Sequence, residues 1–150
     1  MKGKKLDLFI LSIVILATAA FALVQSIVNV AINGFAIDAA SLGEGMTITP
    51  EVATIIGVIG FAIGVIFLLP QVFVGIRGMQ NAKGPMEKQG HITWTKVLFV
   101  FAIISAVAAI ISAFTTKDLL NSIINIATNV LNVCIYYFYI KYAKAINKAE

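Results

Sequence analysis

The first apolar run of the chain reads LFILSIVILATAAFALVQSIVNVAI over residues 8–32. It contains no charged residue and exceeds the ~20 residues that a helix needs to cross ~30 Å of hydrocarbon. Three further charge-poor runs follow at residues 52–76, 97–114 and 119–140. The sequence therefore predicts an all-α, polytopic membrane protein, with four transmembrane helices forming a single domain over residues 1–150.

The composition excludes a soluble globular domain. Hydrophobic residues make up 60% of the 150 residues and charged residues only 12%, and the mean hydropathy is +0.98. Soluble domains contain about twice that share of charged residues. The four apolar runs leave little chain for a soluble domain.

The basic residues predict the orientation, because Lys and Arg are retained on the cytoplasmic side of a membrane. In the four-helix topology, Lys117 falls on the outer side. The other basic residues all fall on the opposite, cytoplasmic side: Lys2, Lys4, Lys5, Arg77, Lys83, Lys88, Lys96, Lys141, Lys144 and Lys148. We therefore expect both termini in the cytoplasm and the loop at residues 34–50, with Asp38 and Glu44, outside. The predicted location is a bacterial cytoplasmic membrane. The net charge of +4 then reflects topology and attraction to anionic lipid headgroups, not nucleic-acid binding.

A cleavable signal peptide is the alternative for the first run. Basic residues precede it, and Ala20-Phe21-Ala22 imitates a cleavage site. The apolar run continues to Ile32, which favours a retained membrane helix.

Two stretches nearly repeat each other: LVQSIVNVAIN at residues 23–33 and LLNSIINIATN at residues 119–129. A spacing of four places successive carboxamides on one helix face. The predicted ladders comprise Gln25, Asn29 and Asn33 on the first helix, and Asn121, Asn125, Asn129 and Asn132 on the fourth. Amides are costly to bury in lipid without partners, so the ladders should face other helices or a wet cavity.

Small residues follow helical spacing on the two middle helices, at Gly57, Gly60 and Gly64 and at Ala102, Ala106 and Ala109. Such residues let membrane helices approach closely, so the second and third helices should form a tight antiparallel pair. The short connection at residues 115–118 makes the third and fourth helices antiparallel neighbours as well.

Pro70 lies inside the second apolar run and predicts a kink or an early helix end. Simple curvature is one interpretation, and a hinge at Pro70 and Gln71 is the other. Residues 75–85, with three glycines and a proline, have the composition of a cytoplasmic loop. His91, Trp94 and the tyrosines at 136, 137, 139 and 142 gather near this boundary, where aromatic rings anchor helices at headgroup level.

Catalysis and metal binding are not expected. The acidic residues all lie at termini, in loops or at helix boundaries, whereas acid–base chemistry and proton relays need titratable groups in the site. His91 has no second histidine or suitably spaced carboxylate near it, and the single cysteine, Cys134, allows no cysteine cluster. The sequence predicts no enzyme, no cofactor and no metal.

Two family resemblances follow from these motifs. The turn at residues 75–85, followed by Gly90-His91-Ile92 and an apolar helix, resembles that of small uncharacterised four-span membrane proteins of Gram-positive bacteria, a family that implies no activity. Residues 51–146 resemble the PQ-loop and SemiSWEET transporter unit, with Leu69-Pro70-Gln71 near a helix end and Lys117-Asp118-Leu119 before an Asn-bearing last helix. The additional first helix and the turn sequence depart from that unit. This resemblance implies hinge roles for Pro70 and Gln71 and a substrate-facing amide at Asn125 or Asn129.

Two functions remain open at the level of sequence. The first is a non-enzymatic helix bundle that forms a homo-oligomer or scaffolds a membrane partner protein through its amide ladders. The alternative is a transporter or pore for a neutral small solute, since uncharged amides suit sugars or water better than ions. The direction in which the ladders point separates the two functions.

Overall fold

The computed structural model describes residues 2–35 and 47–148, so Asp38 and Glu44 of the predicted outer loop lie outside the described residues. The described chain forms four helices: α1 (Lys2–Asn33), α2 (Pro50–Lys83), α3 (Gly90–Ala113) and α4 (Leu119–Asn147). Each is long and apolar enough to cross a membrane. The prediction of an all-helical chain with four such helices is confirmed.

The helices extend beyond the apolar runs, which corrects one prediction. Residues 75–83 were predicted as part of a loop, but α2 continues through Lys83, with Pro70 inside it. The early end of the helix at Pro70 is therefore also wrong. The physical reason is that Gly75 and Gly78 serve helix packing and not a turn, as their surroundings show.

The contacts divide the chain into two compact units. The discontinuous unit comprises Met1–Leu16 and Pro70–Glu150, and the continuous unit comprises Ala17–Leu69. Within α2, the boundary falls immediately before Pro70.

The discontinuous unit has a core of large side chains. Leu8, Val74, Tyr139 and Ile146 are fully buried there, each from a different part of the sequence or a different turn of its helix. Within this unit α3 packs along α4, which confirms that these two helices are neighbours. The alanines predicted for packing on α3 are buried: Ala102, Ala106 and Ala109.

Two glycines of α2 permit a close approach of helices in the discontinuous unit. A Cβ atom added at Gly75 would collide with the side chain of Leu16 on α1. One added at Gly78 would collide with Ser12 on α1 and with the ring of Tyr139 on α4. Both glycines are buried, so α1, α2 and α4 meet here at a distance that only glycine allows.

The continuous unit contains the second half of α1 and the first half of α2. A Cβ atom added at Gly57 would collide with the backbone carbonyl of Phe35. The ring of Phe35 meets that of Phe61 edge-to-face, with centroids 5.6 Å apart. Large apolar side chains such as Ile55, Ile59 and Ile66 remain exposed, as expected for surfaces that meet lipid.

Candidate functional site

The amides of α4 bond along their own helix. Asn129 Nδ2 donates to Asn125 Oδ1 over 3.0 Å and to the Asn125 carbonyl over 2.8 Å. Asn121 bonds to Asp118, whose carboxylate also caps the start of α4 by accepting from the Asn121 backbone N–H. Asn121 and Asn125 are exposed, whereas Asn129 and Asn132 are half-buried. The structure thus joins Asn125 to Asn129 and gives Asn121 a capping partner.

The amides of α1 show the same arrangement. Asn33 Nδ2 donates to Asn29 Oδ1 over 2.7 Å, and Gln25, Asn29 and Asn33 are all exposed. Ser26, beside them, donates to the Ala22 carbonyl over 2.8 Å. This face of α1 therefore presents polar groups whose internal bonds run along the helix.

A cleft of about 380 Å³ lies within the continuous unit, between the second half of α1 and the first half of α2. Its polar wall comes from Ser26, Asn29 and Asn33, and its apolar wall includes Phe35 and Phe61. Gly57 and Gly60 also line it, and a Cβ atom added at Gly60 would meet no atom within 4 Å. The cleft can accept a small molecule that offers both hydrogen-bonding groups and apolar surface.

Hydrogen-bond capacity limits what the ladders can do alone. A carboxamide carries two N–H donors and an oxygen with two lone pairs. The bonds of Asn29 with Asn33, and of Asn125 with Asn129, use only part of that capacity. The exposed remainder needs water or another polar group, because an unmet amide in an apolar medium costs about 1–3 kcal/mol.

The other predicted residues of α2 are Gly60, Gly64, Pro70 and Gln71. An added Cβ atom at Gly64 would meet nothing within 4 Å, so the packing roles of Gly60 and Gly64, like the pairing of α2 with α3, stay predictions. Pro70 and Gln71 are both half-buried and open the α2 segment of the discontinuous unit. Their role as a hinge also stays a prediction.

The discontinuous unit contains a buried polar cluster that the sequence did not reveal. We call it the polar junction, and it consists of Asn81 on α2, His91 on α3 and Asn147 on α4. Asn81 Nδ2 donates to Asn147 Oδ1 over 2.7 Å, and His91 Nε2 lies 3.0 Å from Asn81 Oδ1. Because a carboxamide oxygen only accepts, this bond requires the proton on Nε2. His91 Nδ1 is buried and has no hydrogen-bond partner among residues 2–35 and 47–148.

The polar junction also holds the connection between α2 and α3. Asn81 Nδ2 donates to the Gly84 carbonyl over 3.1 Å, and the Met86 backbone N–H donates to Asn147 Oδ1 over 3.0 Å. Two amides and a histidine thus join the ends of three helices to the intervening turn. These bonds satisfy polar backbone groups at a helix end that would otherwise need water.

Burial corrects the expectation of an aromatic belt. His91 is 1% exposed and Tyr139 0%, and their rings meet edge-to-face with centroids 6.1 Å apart. The Tyr139 hydroxyl donates to the Val74 carbonyl over 2.8 Å. Trp94 and Tyr137 remain exposed, so only part of the aromatic set can anchor the protein at headgroup level.

A sequence signal for this burial did exist. Tyr139, Ala143 and Ile146 follow helical spacing across the predicted end of the last span at residue 140, and all three are buried. This spacing continues past Lys141, in agreement with the end of α4 at Asn147. Nothing in the spacing paired Asn147 with Asn81, because that contact joins residues 66 positions apart.

The described residues contain no group of three or more His, Cys, Asp or Glu side chains placed to hold a metal ion. Comparisons with protein-family models, curated proteins and solved structures find no match to this chain. Both family resemblances therefore stay predictions, and the function must be argued from the geometry.

Proposed function

We propose that this protein is a non-enzymatic, multi-pass helix bundle of a bacterial cytoplasmic membrane that oligomerises through its amide ladders. Both termini lie in the cytoplasm in this proposal. The observation that carries it is the exposure of Asn29, Asn33 and Asn125 on helices apolar enough to lie in lipid. Their carboxamides still have free hydrogen-bonding capacity, which a second helix surface can satisfy.

A second copy of the chain suits these ladders well. A carboxamide is both donor and acceptor, so two Asn side chains can pair with each other across an interface. A two-fold interface brings the same patch of both subunits together and therefore needs such self-complementary groups. Each interhelical amide bond should contribute about 0.6–2 kcal/mol in a membrane. A different membrane protein with its own amides is the alternative occupant.

Disulfide trapping in liposomes tests the oligomer. Cys134→Ser removes the single native thiol, and Asn125→Cys in that background should give cross-linked dimers on mild oxidation. Ile124→Cys is the matched control, because Ile124 is exposed on the neighbouring helix face and should cross-link far less. Equal cross-linking at both positions, or a parent protein that remains monomeric in the bilayer, would contradict the proposal.

Passage of a neutral polar solute is the second candidate, and the 380 Å³ cleft favours it. Uncharged amides can replace the hydrogen bonds that such a solute makes with water. Gly60→Leu should fill the cleft and abolish any uptake of glucose or glycerol into liposomes. Gly64→Leu is the control, since Gly64 does not line the cleft. Uptake that the two variants alter equally, or no uptake by the parent, would exclude this candidate.

A further inference from the structure

A groove of about 250 Å³ lies in the discontinuous unit, near the N-terminal end of α1 and beside the C-terminal half of α4. It is lined by Asp7, Ile10 and Leu11 of α1 and by Phe138 and Tyr142 of α4. None of these residues belongs to the ladders, the cleft or the polar junction. The groove combines one carboxylate, two aromatic rings and an aliphatic wall.

The carboxylate of Asp7 is unusual because it is unpaired in basic surroundings. Asp7 is half-buried, and lysines lie near it in sequence at Lys4 and Lys5. Among the described residues, no lysine or arginine nitrogen and no hydrogen-bond donor pairs with the Asp7 carboxylate. A half-buried carboxylate gains considerably from a cation, and this one faces a groove and not a lysine.

The aromatic wall also suits a cation. The rings of Phe138 and Tyr142 are stacked at 21° with centroids 6.0 Å apart. Ring faces attract ammonium groups, and Lys141 already uses this attraction, with Nζ 5.9 Å from the Phe138 centroid. The groove thus presents a carboxylate and two aromatic rings, with the Lys141 ammonium group near one of them.

This charge arrangement selects a zwitterion. The Lys141 ammonium group beside Phe138 repels a free cation, so a ligand with both an ammonium group and an anionic group is favoured. The ammonium group fits Asp7 and the rings, and the anionic group fits Lys141. Ile10 and Leu11 add apolar surface on which an acyl chain can lie.

We propose that this groove binds the headgroup of a zwitterionic phospholipid through its ammonium group. The membrane placement of the proposed function puts the groove at headgroup level, where lipid is the most abundant ligand. The site is otherwise independent of oligomerisation, because none of the ladder residues lines it.

Lipid binding to the full chain, measured by native mass spectrometry from detergent, tests the proposal. The parent should bind phosphatidylethanolamine more tightly than phosphatidylglycerol. Asp7→Asn should weaken phosphatidylethanolamine binding about tenfold or more, since a hydrogen bond to a charged group is lost, and should leave phosphatidylglycerol binding unchanged. Glu87→Gln is the matched control, because it removes an exposed acidic charge from the same side of the predicted topology and should alter neither affinity.

The rings provide a second arm that does not depend on charge. Tyr142→Leu should weaken phosphatidylethanolamine binding about 2- to 30-fold through the lost cation–π contact, whereas Tyr142→Phe should keep it. Millimolar free ethanolamine should not compete. Competition by ethanolamine would overturn the lipid assignment, and unchanged binding by both Asp7→Asn and Tyr142→Leu would overturn the site. Cross-linking at Asn125 reads out the oligomer separately, so either proposal can fail alone.

Discussion

At the scale of single residues, glycine in α2 has two opposite roles. Gly75 and Gly78 lie where α1 and α4 leave no room for a Cβ atom, whereas Gly64 lies in open space on the same helix. A glycine inside a helix ordinarily destabilises it by roughly 0.5–1 kcal/mol relative to alanine. The surroundings of each glycine therefore decide whether a Gly→Ala substitution stabilises or destabilises the protein.

Gly78→Ala should destabilise the protein by about 1–3 kcal/mol, because the new methyl group collides with Ser12 and Tyr139. Gly64→Ala should be neutral or stabilising by about 0.5–1 kcal/mol. Denaturant unfolding in mixed micelles measures both free energies. A Gly78→Ala variant as stable as the parent would mean that the three helices do not meet at this point.

The polar junction should show strong coupling between its two amides. Asn147→Leu removes the bond that Asn81 Nδ2 donates to Asn147, leaves the Met86 N–H without its partner, and should destabilise by about 1–3 kcal/mol. Asn81→Leu combined with Asn147→Leu should be less damaging than the two single effects added together, by about 0.5–3 kcal/mol. A thermodynamic cycle from unfolding free energies measures the difference. Additive effects would show that the two amides do not bond to each other.

At the scale of elements, α2 is the helix that sequence reasoning described least well. Its apolar run ends near residue 76, and glycine with proline beyond that point is the usual composition of a loop. Glycine in a membrane helix can also indicate close packing. A loop glycine and a packing glycine differ only in the residues that surround them. The sequence does not contain that information, because Ser12, Leu16 and Tyr139 lie far away in the chain. α1 and α4 also extend beyond their apolar runs, since charge ends a span but not a helix.

Pro70→Ala should tighten α2 without unfolding the protein. Proline lacks the N–H that would bond to the carbonyl of Ile66, and alanine restores it. Hydrogen exchange should then slow for the backbone amides between Ile66 and Val74. Ile59→Ala is the control at an exposed position of the same helix and should leave that segment unchanged. Unaltered exchange in Pro70→Ala would remove the hinge interpretation.

The ladders should couple across an interface and not along a helix alone. Replacing Asn29 or Asn125 by leucine should reduce dimer formation in the bilayer by about 0.6–2 kcal/mol each. If the two amides face each other, the double variant should lose less than the sum of the singles. Energy transfer between labelled chains at several lipid dilutions measures the association. Association unchanged in both single variants would leave the ladders free for the solute candidate.

At the scale of the whole molecule, the sequence alone was enough to predict that the chain contains four membrane-length helices. Apolar runs of membrane length predict helices because, in lipid, a helix satisfies the polar groups of its backbone within a single segment. The division into two units was not predicted, because it depends on which residues contact each other, and neither was the groove at Asp7. Composition and periodicity indicate whether a helix lies in lipid or in water. They do not indicate which distant residues meet, such as Asn81 and Asn147, because that depends on the tertiary structure.

The proposed topology predicts a clear labelling pattern. Impermeant thiol reagents should reach a cysteine at Glu44 from outside intact cells and one at Lys83 only after permeabilisation, both in a Cys134→Ser background. The excess of basic residues on one side of the four-helix topology is the reason. A cysteine at Lys117 is the control and should react from outside. Labelling of Lys83→Cys in intact cells would show that the topology is the inverse of the proposed one.

The discontinuous unit also bears on how the chain is made. Leu8 and Ser12 leave the ribosome early, whereas their neighbour Tyr139 follows on the order of 10 s later at ordinary rates of synthesis. Until α4 follows, α1 lacks its neighbour Tyr139, and the buried core remains open. Nascent chains stalled before α4 should therefore expose Leu8 and Ile15 to lipid or to the insertion machinery, because α4 closes the core that α1 begins.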